Sequence, residues 1–229
     1  MKQKPAFSTE LSYLLGMLFV AVGTAFMERA DLGISMVVAP AYLLHRKISE
    51  FLPFYSFGMS EYIFQAVLLL LLCLIVRRFK KSWLFSFVTA VFYGFLLDGA
   101  LWLTTSLPMS ALWARILFYG LGMVMGSIGV ALLFHTYIAP EVYELFVSET
   151  AGHFSLPIPT VKTVYDIVSC LLGVLLSFLF FGLWHFEGVK LGTVLCALVN
   201  GPLIGAVSDW LDRTFLFTDR LPLRKLFEQ

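Results

Sequence analysis

The sequence predicts an all-α membrane protein in which six transmembrane helices form two three-helix repeats of inverted topology. Apolar residues make up 59% of the chain, charged residues make up only 14%, and the mean hydropathy is +0.87. This composition is typical of membrane proteins and excludes a soluble globular domain. Two further observations support the prediction. Six apolar runs are long enough to cross a bilayer, and the first three runs are echoed by the last three.

Each apolar run meets the length that a bilayer requires. A hydrocarbon core of about 30 Å needs roughly 17 to 25 helical residues, and each run is closed by charges or by a Gly/Pro cluster. The predicted spans are residues 11–27, 57–76, 83–103, 116–134, 161–184 and 191–210. The whole chain, residues 1–229, is predicted to be a single transmembrane domain that ends in a cytoplasmic tail, residues 211–229.

The second half of the chain repeats features of the first half. Gly16-Met17 and Gly23 in the first run recur 106 residues later as Gly122-Met123 and Gly129. The predicted repeats are residues 11–103 and 115–210. Because each repeat holds three spans, the two copies must cross the membrane in opposite directions. Inverted repeats of this kind are the usual build of secondary transporters.

The same glycines predict a packing seam between helices. Gly16 and Gly23 lie on the first span, and Gly122, Gly126 and Gly129 form a small-residue face on the fourth span. Small residues allow helix backbones to approach closely inside a membrane. We therefore expect these glycines to serve helix packing.

Two connections at equivalent positions are too long for simple turns. Residues 28–56 follow the first span and residues 135–157 follow the fourth, and each contains a short apolar stretch. These stretches, residues 32–44 and 137–147, suit a re-entrant or an interfacial segment better than a full span. Irregular backbone is tolerated at membrane depth only where protein or water satisfies it. The helix-breaking and polar residues near the starts of these two stretches are therefore candidates for a solute pathway. They are Gly33, Ser35, Pro140 and Glu141.

Ionisable side chains inside apolar runs are costly, so they are functional candidates by default. Lys162 and Asp166 lie one helical turn apart on the fifth span and can form a pair. Glu61 and Gln65 occupy the equivalent positions of the second span. A pseudo-two-fold axis would bring these four residues to one central cavity, where we expect Glu61 and Lys162 to neutralise each other.

Asp98 is a further pathway candidate. It lies about 22 Å along the third span, in the outer third of the membrane. Its counterpart in the second repeat is Gly205, so Asp98 is not symmetric scaffolding. Two interpretations stay open, a role in proton coupling or a side chain that reaches for the outer interface.

The orientation follows from Lys and Arg in the short loops, because cytoplasmic loops carry an excess of these residues. The turn Arg77-Arg78-Phe79-Lys80-Lys81 predicts that the loop between the second and third spans is cytoplasmic. Lys2, Lys4 and Arg213 fall on the same side. Both termini are therefore predicted to be cytoplasmic.

Five short stretches resemble a known family. They are Ala30-Asp31-Leu32-Gly33-Ile34-Ser35, Ile138-Ala139-Pro140-Glu141, Val161-Lys162-Thr163-Val164-Tyr165-Asp166, Gly192-Thr193-Val194-Leu195 and Asn200-Gly201-Pro202-Leu203-Ile204-Gly205. With them the chain resembles, over nearly its whole length, the YczE/YyaS/YitT type of bacterial integral membrane proteins. The chain departs from that family at Ile34-Ser35, where a second glycine or proline is expected. The resemblance implies a six-span protein of the bacterial inner membrane and implies no substrate or reaction.

Several classes of chemistry have no signal in the sequence. There is no phosphate-binding loop, nucleophile elbow or paired zinc-histidine helix, and the net charge of +1 does not favour a nucleic-acid partner. The cysteines lie inside apolar runs and the histidines are scattered, which predicts no metal site. The histidines are His45, His135, His153 and His185. We therefore expect no enzyme, no cofactor and no metal.

These observations favour a secondary transporter that moves a small solute or ion by alternating access. Two alternatives stay open, which are a substrate-capture subunit of a modular importer and a lipid-organising or regulatory membrane protein. The expected partners are the lipid bilayer and a small solute or ion that the sequence does not identify. A second copy of the chain is a further candidate partner.

Overall fold

The computed structural model describes residues 4–55, 57–107, 110–184, 186–222 and 224. Lys2, His185 and residues 225–229, which entered the predictions above, lie outside the described residues. The described chain contains the helices α1 Thr9–Ala30, α2 Ala39–Ile48, α3 Phe57–Val76, α4 Phe85–Leu103, α5 Leu112–Leu133, α6 Val142–Phe154, α7 Ile158–Phe181 and α8 Leu191–Thr214. It also contains a 3-10 helix, Lys81–Leu84, and two short strands, β1 Ala6–Ser8 and β2 Leu216–Thr218.

Six of these helices are long and apolar enough to cross a membrane, which confirms the predicted number of spans. They are α1, α3, α4 together with its preceding 3-10 turn, α5, α7 and α8. Polar caps extend α1 beyond its apolar run. The Ser8 side chain accepts a hydrogen bond from the Leu11 backbone N–H at its start, and Asp31 ends the helix with a left-handed backbone at φ 50°.

Helices α1 and α5 pack against each other at very close range. A Cβ added to Gly16 would lie 2.9 Å from the Gly129 carbonyl oxygen, and one added to Gly23 would lie 2.6 Å from that of Gly122. Since the start of α1 meets the end of α5, the two helices are antiparallel. The backbone of Gly126 also lies on this contact, although a Cβ on Gly126 itself would meet no atom within 4 Å.

Both ends of the described chain lie on one side of the helix layer, which we call the terminal face. Strand β1 pairs in parallel with β2, so the segments before α1 and after α8 run side by side. Helix α4 runs parallel to α1, because Tyr13 bonds Thr89 near their starts and Arg29 bonds Leu101 near their ends. The turn before α4 therefore also lies on the terminal face. The other side, where α1 ends and α5 and α8 begin, is called the opposite face.

The predicted tail over residues 211–229 needs correction. Helix α8 continues to Thr214, and β2 then pairs with the segment before α1. Phe7 packs against Phe215 and Phe217, with ring centroids 5.2 and 5.7 Å apart. This part of the tail is therefore built into the fold, because its aromatic side chains find a complementary apolar surface at the amino terminus.

Helix α6 begins beside the first half of α4. Thr89, eight residues into its span, donates a hydrogen bond of 2.8 Å to the Ala139 carbonyl, which places Ala139 about 12 Å from the terminal face. Glu149, near the other end of α6, lies 2.8 Å from Lys80 at that face. The second inserted segment, residues 135–154, therefore enters the helix layer from the terminal face and α6 returns to it.

Helix α2 is placed in the same way with respect to the opposite face. A Cβ on Gly173, eight residues before the end of α7, would lie 3.2 Å from the Cβ of Ala39 at the start of α2. Arg46, near the end of α2, pairs with Glu187 beyond the end of α7 at 3.3 Å. The first inserted segment, residues 31–48, therefore enters the helix layer from the opposite face.

The largest apolar core lies where the two inserted segments meet α3, α7 and α8. Helix α2 packs between α3 and α7, and α6 packs between the same two helices from the other face. Polar side chains interrupt this core at the level where the inserted helices begin.

Candidate functional site

A group of polar side chains is enclosed where α3, the start of α6, α7 and α8 meet. We call it the polar cluster, and its members are Glu61, Gln65, Glu141, Tyr143, Glu144, Lys162, Tyr165, Asp166 and Asn200. Asp166 and Asn200 lie eight and nine residues into helices that begin at opposite faces. Each is therefore about 12 to 14 Å from a face, and the cluster lies near the midplane of the helix layer.

Lys162 and Asp166 form the ion pair that their spacing predicts. Lys162 Nζ lies 2.9 Å from Asp166 Oδ1 and 3.9 Å from Glu144 Oε1. The exposed fraction of the side chain is 1% for Lys162 and 0% for Asp166. Removal of either partner would leave a buried charge without compensation, because two desolvated ions depend on each other.

Glu61 has different partners from the one expected. Tyr143 donates a hydrogen bond to Glu61 Oε2, and Gln65, one turn further along α3, donates a second. The expected direct contact between Glu61 and Lys162 does not form in the described structure, where Lys162 contacts Glu144 and the carboxylate on its own helix. The reason is that α6 packs on both α3 and α7, so its first turn takes the position next to Lys162.

A chain of hydrogen bonds fixes the second oxygen of Asp166. Asn200 Nδ2 donates a hydrogen bond of 3.2 Å to Asp166 Oδ2. Ser127 Oγ in turn donates a hydrogen bond of 2.9 Å to Asn200 Oδ1. This chain joins α5, α8 and α7 at one level. It orients the carboxylate so that its other oxygen faces Lys162.

Four members of the cluster were not predicted from the sequence, namely Tyr143, Glu144, Tyr165 and Asn200. Glu144 lies three residues after Glu141, a helical spacing that would have identified it once α6 was recognised. Asn200 aligns with Tyr93 in the predicted repeat, and Tyr93 is also a polar residue inside an apolar helix. Tyr143 carried no signal, because a tyrosine in an apolar stretch is common.

Four atoms of the cluster are buried without a hydrogen-bond partner, namely Gln65 Oε1, Glu141 Oε1, the Tyr165 hydroxyl and Asp166 Oδ1. Asp166 Oδ1 lies 2.9 Å from Lys162 Nζ, and the Tyr165 hydroxyl can donate as well as accept. The acceptors left with neither a cation nor a donor are therefore Gln65 Oε1 and Glu141 Oε1. Gln65 is only 4% exposed, and because its nitrogen bonds Glu61, its oxygen stays within the cluster. Buried polar atoms are normally hydrogen-bonded, so these two oxygens mark a place where a donor would be stabilised.

Each inserted segment is held by a threonine hydroxyl. Thr89 of α4 donates to the Ala139 carbonyl at 2.8 Å, and Thr193 of α8 donates to the Ile34 carbonyl at 2.7 Å. We call these contacts the threonine tethers. Each tether attaches irregular backbone to a spanning helix. The threonine hydroxyl supplies a hydrogen bond to a backbone carbonyl group that has no donor within a helix.

The other predicted pathway residues have varied positions. Gly33 is buried with φ 132°, a conformation that favours glycine. The backbone carbonyl oxygen of Ser35 accepts hydrogen bonds from N–H groups at the start of α2. Pro140 is buried next to Glu141. Asp98 is exposed on α4 and is not a member of the polar cluster.

Two clefts reach from the terminal face towards the cluster. The larger has a volume of about 390 Å³ and includes Arg78 and His153 in its lining, and the smaller has a volume of about 130 Å³ and reaches Pro140. Both are lined by Ser148 and Glu149, so they adjoin. The route from the terminal face therefore ends one residue before Glu141.

Two cations close over Asp31 at the opposite face. Lys190 Nζ lies 2.5 Å from Asp31 Oδ1, and Arg115 Nη2 lies 3.1 Å from Asp31 Oδ2. The hydrogen bond from Lys190, with Arg115 beside it, holds the pKa of the Asp31 carboxyl below its ordinary value. We call these three residues the opposite-face cap. The cap joins the end of α1 to the starts of α5 and α8.

Six spanning helices around a buried polar cluster define a multi-pass integral membrane protein. The chain belongs to DUF6198, a family of unknown function, whose model matches residues 7–209. No curated protein and no solved structure matches the chain significantly. Within the described residues, no group of three His, Cys, Asp or Glu side chains is placed to hold a metal ion. Any activity must therefore be argued from the cluster and its surroundings.

Proposed function

We propose that the protein is a secondary transporter of the bacterial inner membrane that moves a small solute or ion by alternating access. The observation that carries this proposal is the pair of inserted segments, which enter from opposite faces and approach the level of the polar cluster. We interpret them as re-entrant segments. In transporters built in this way, a site near the midplane is exposed to each side in turn while two repeats rock against each other.

The contact between α1 and α5 supports an inverted repeat. In the predicted repeat, Gly16 and Gly23 correspond to Gly122 and Gly129. If each residue is replaced by its counterpart, the contact Gly16–Gly129 becomes the contact Gly122–Gly23. Both contacts are present. A two-fold relation requires this reciprocity. The packing of α4 on α1 and of α2 on α7 is likewise matched by that of α8 on α5 and of α6 on α3.

The threonine tethers supply a mechanical link. The Thr193 tether joins α8 of the second repeat to the inserted segment of the first repeat, and the Thr89 tether joins α4 of the first repeat to the segment of the second. A rocking movement of one repeat against the other would therefore displace both segments together. This coupling is what opposed opening of the two sides needs.

The clefts and the cap favour a state that is open to the terminal face. The clefts lead inward from that face, whereas Asp31, Arg115 and Lys190 close the other side. We assign the terminal face to the cytoplasm, because it carries the basic turn Arg77 to Lys81. The resemblance to the YczE/YyaS/YitT type supports a location in the bacterial inner membrane.

Cysteine labelling tests the proposal directly. In a background with Cys73, Cys170 and Cys196 replaced by alanine, Ser35→Cys reports on the opposite-face route and Ser148→Cys on the terminal-face route. A membrane-impermeant maleimide is applied to right-side-out and inside-out vesicles. We expect strong labelling of the cysteine at 148 from the cytoplasmic side and weak labelling of the one at 35 from the outer side.

Weakening the cap should shift this balance. Asp31→Asn removes the charge that both cations contact, and exposed ion pairs are each worth about 0.2 to 1 kcal/mol. Labelling at position 35 should rise about two- to tenfold and labelling at position 148 should fall together with it. The pKa of Asp31 is lower in the folded protein than its ordinary value of about 3.9. The stabilisation by the cap is therefore fully present at any pH above about 3.9, and it is lost only when the pH falls through the lowered pKa of Asp31. The effect of the substitution should thus be complete at neutral pH.

Two control positions set the limits of the measurement. Ser106→Cys is exposed and should label in every variant, whereas Ser12→Cys is buried between α1 and α5 and should never label. If Asp31→Asn raises labelling at position 35 and leaves position 148 unchanged, the two routes are independent. That result would contradict alternating access.

A further inference from the structure

We propose that the polar cluster binds a small organic ammonium ion and releases a proton in exchange. This inference rests on the proposed transport function and gives its site a substrate class. Four features of the molecule support it, namely the charge balance of the cluster, the environment of the lysine that it already contains, an acceptor without a partner, and a cleft that ends beside the cluster.

The charge balance requires additional positive charge. The described cluster contains one ammonium group and four carboxyl groups, which belong to Glu61, Glu141, Glu144 and Asp166. Burial of unpaired charge is very costly. The carboxyl groups that Lys162 does not neutralise must therefore hold protons or face a cation, and a bound cation would displace a proton.

Lys162 shows what kind of cation the cluster accommodates. Its ammonium group lies 2.9 Å from a carboxylate oxygen of Asp166 and 5.6 Å from the ring centroid of Tyr165. The Tyr165 ring packs on Phe146 at 5.6 Å between centroids. Carboxylates combined with aromatic faces suit organic ammonium ions, which gain from both ion pairing and cation–π attraction.

A second and independent observation points to a ligand with N–H donors. Gln65 is 96% buried, its Oε1 has no hydrogen-bond partner, and its nitrogen is held by Glu61. Glu141 Oε1 is likewise buried without a partner. An alkylammonium group offers three N–H donors and no acceptor, which matches a site in which acceptors are in excess.

The route and the exchange step are consistent with this ligand. The smaller cleft is lined by Pro140, the residue before Glu141, so the terminal face is the side from which an amine would approach the carboxyl groups. A protonated carboxyl group loses its proton to solvent and becomes the carboxylate that pairs with the incoming ammonium ion. One positive charge enters and one leaves, so the cluster stays neutral.

Several titratable groups surround this exchange and contribute to its pH dependence. They are Glu61 on α3, Tyr93 on α4, Tyr119 on α5, Glu141, Tyr143 and Glu144 on α6, Lys162, Tyr165 and Asp166 on α7, and Cys196 on α8. If one proton leaves for each ammonium ion that binds, the apparent Kd should rise about tenfold for each unit by which the pH is lowered.

The first test uses the unmodified protein in detergent or nanodiscs. Butylammonium and phenethylammonium are compared with their neutral counterparts 1-butanol and 2-phenylethanol, and with Na⁺ and K⁺. We expect at least one amine to raise the melting temperature by several degrees and to release about one proton per protein into weakly buffered solution. Stabilisation by the alcohols, by the inorganic cations alone, or by none of these probes would overturn the proposal.

Variants locate the binding site. Gln65→Leu and Glu141→Gln should each weaken amine binding about tenfold or more, because each removes a buried acceptor that has no other partner. Asp98→Asn is the matched control, since the same carboxyl-to-amide change on the exposed surface of α4 should leave binding unchanged. Equal effects of Glu141→Gln and Asp98→Asn would place the amine elsewhere.

The labelling experiment separates this inference from the transport proposal. If the routes at positions 35 and 148 open in opposition but no amine binds, the substrate class is wrong and transport still stands. If an amine binds with proton release while both positions label equally in every variant, the ammonium site is real and alternating access is wrong.

Discussion

Lys162 is the only cation among the described members of the polar cluster, and its burial makes its partners decisive. Asp166 accepts a hydrogen bond from Asn200 of α8 and lies one turn from Lys162 on α7. Glu144 approaches from α6 at 3.9 Å. The pair therefore links three helices, and its stability depends on their packing as much as on attraction between two charges.

A double-substitution cycle measures this dependence. Lys162→Met and Asp166→Asn should each lower the free energy of unfolding by about 3 to 5 kcal/mol, because each leaves one buried group without its partner. The double variant should lose clearly less than the sum of the two losses. Denaturant titration or thermal unfolding in detergent provides the comparison.

The matched control is an exposed ion pair between Lys47, near the end of α2, and Glu50, two residues beyond that helix. Lys47 Nζ lies 2.6 Å from Glu50, and both side chains are partly exposed. Lys47→Met, Glu50→Gln and their combination should each change stability by less than about 1 kcal/mol and should be nearly additive. Additivity at the buried pair as well would show that Lys162 and Asp166 do not depend on each other.

At the scale of elements, the contact between α1 and α5 holds the two halves of the chain together. Its closeness depends on the absence of side chains at four glycines, because carbonyl and amide groups of one helix occupy the space where a Cβ of the other would lie. A backbone atom cannot move aside as a side-chain tip can. None of these four glycines therefore tolerates an added methyl group without separation of the helices.

Two alanine substitutions test this contact. Gly23→Ala places a Cβ 2.6 Å from the Gly122 carbonyl oxygen, so we expect a loss of about 1 to 3 kcal/mol in stability. Gly126→Ala is the control, because its Cβ would meet no atom within 4 Å. That variant should be neutral or slightly stabilising, since alanine favours helix. Similar losses for both substitutions would mean that general helix packing, and not close approach, sets the effect.

At the scale of the whole molecule, the chain ends are joined on the terminal face. Strands β1 and β2 pair there, and Lys4 donates to the Asp212 carbonyl at 2.6 Å. Glu10 accepts the backbone N–H groups of Arg220 and Leu221. This arrangement requires an even number of spans between the two ends, as six helices provide.

Reporter fusions test the resulting topology. Reporters at the amino terminus and after Gln229 should both report cytoplasm, because the terminal face carries the basic turn before α4. A reporter inserted after Ser106 should report the outside. Opposite locations for the two termini would contradict both the span count and the inverted repeat, whereas two external termini would contradict only the orientation.

Much of the fold follows from the sequence because insertion in a bilayer depends mainly on the hydropathy of each residue along a run. The six spans were predicted on this basis with small shifts at their ends, where caps such as Ser8 extend a helix beyond its apolar part. Glu61, Lys162 and Asp166 were identified because a charge inside an apolar run is costly wherever it lies. These properties belong to single residues or to neighbours on one helix.

Only the tertiary structure decided which residues meet. Tyr143 and Glu144 lie in a segment whose depth in the membrane the sequence did not determine. Tyr143 contacts Glu61 and Glu144 contacts Lys162, so these two side chains lie where Glu61 and Lys162 would have met. The physical reason is that α6 begins near the midplane and packs on both α3 and α7. The sequence by itself thus determined the number of spans and the buried charges, whereas the partners of those charges were determined by where an inserted helix starts, which depends on packing across the whole fold.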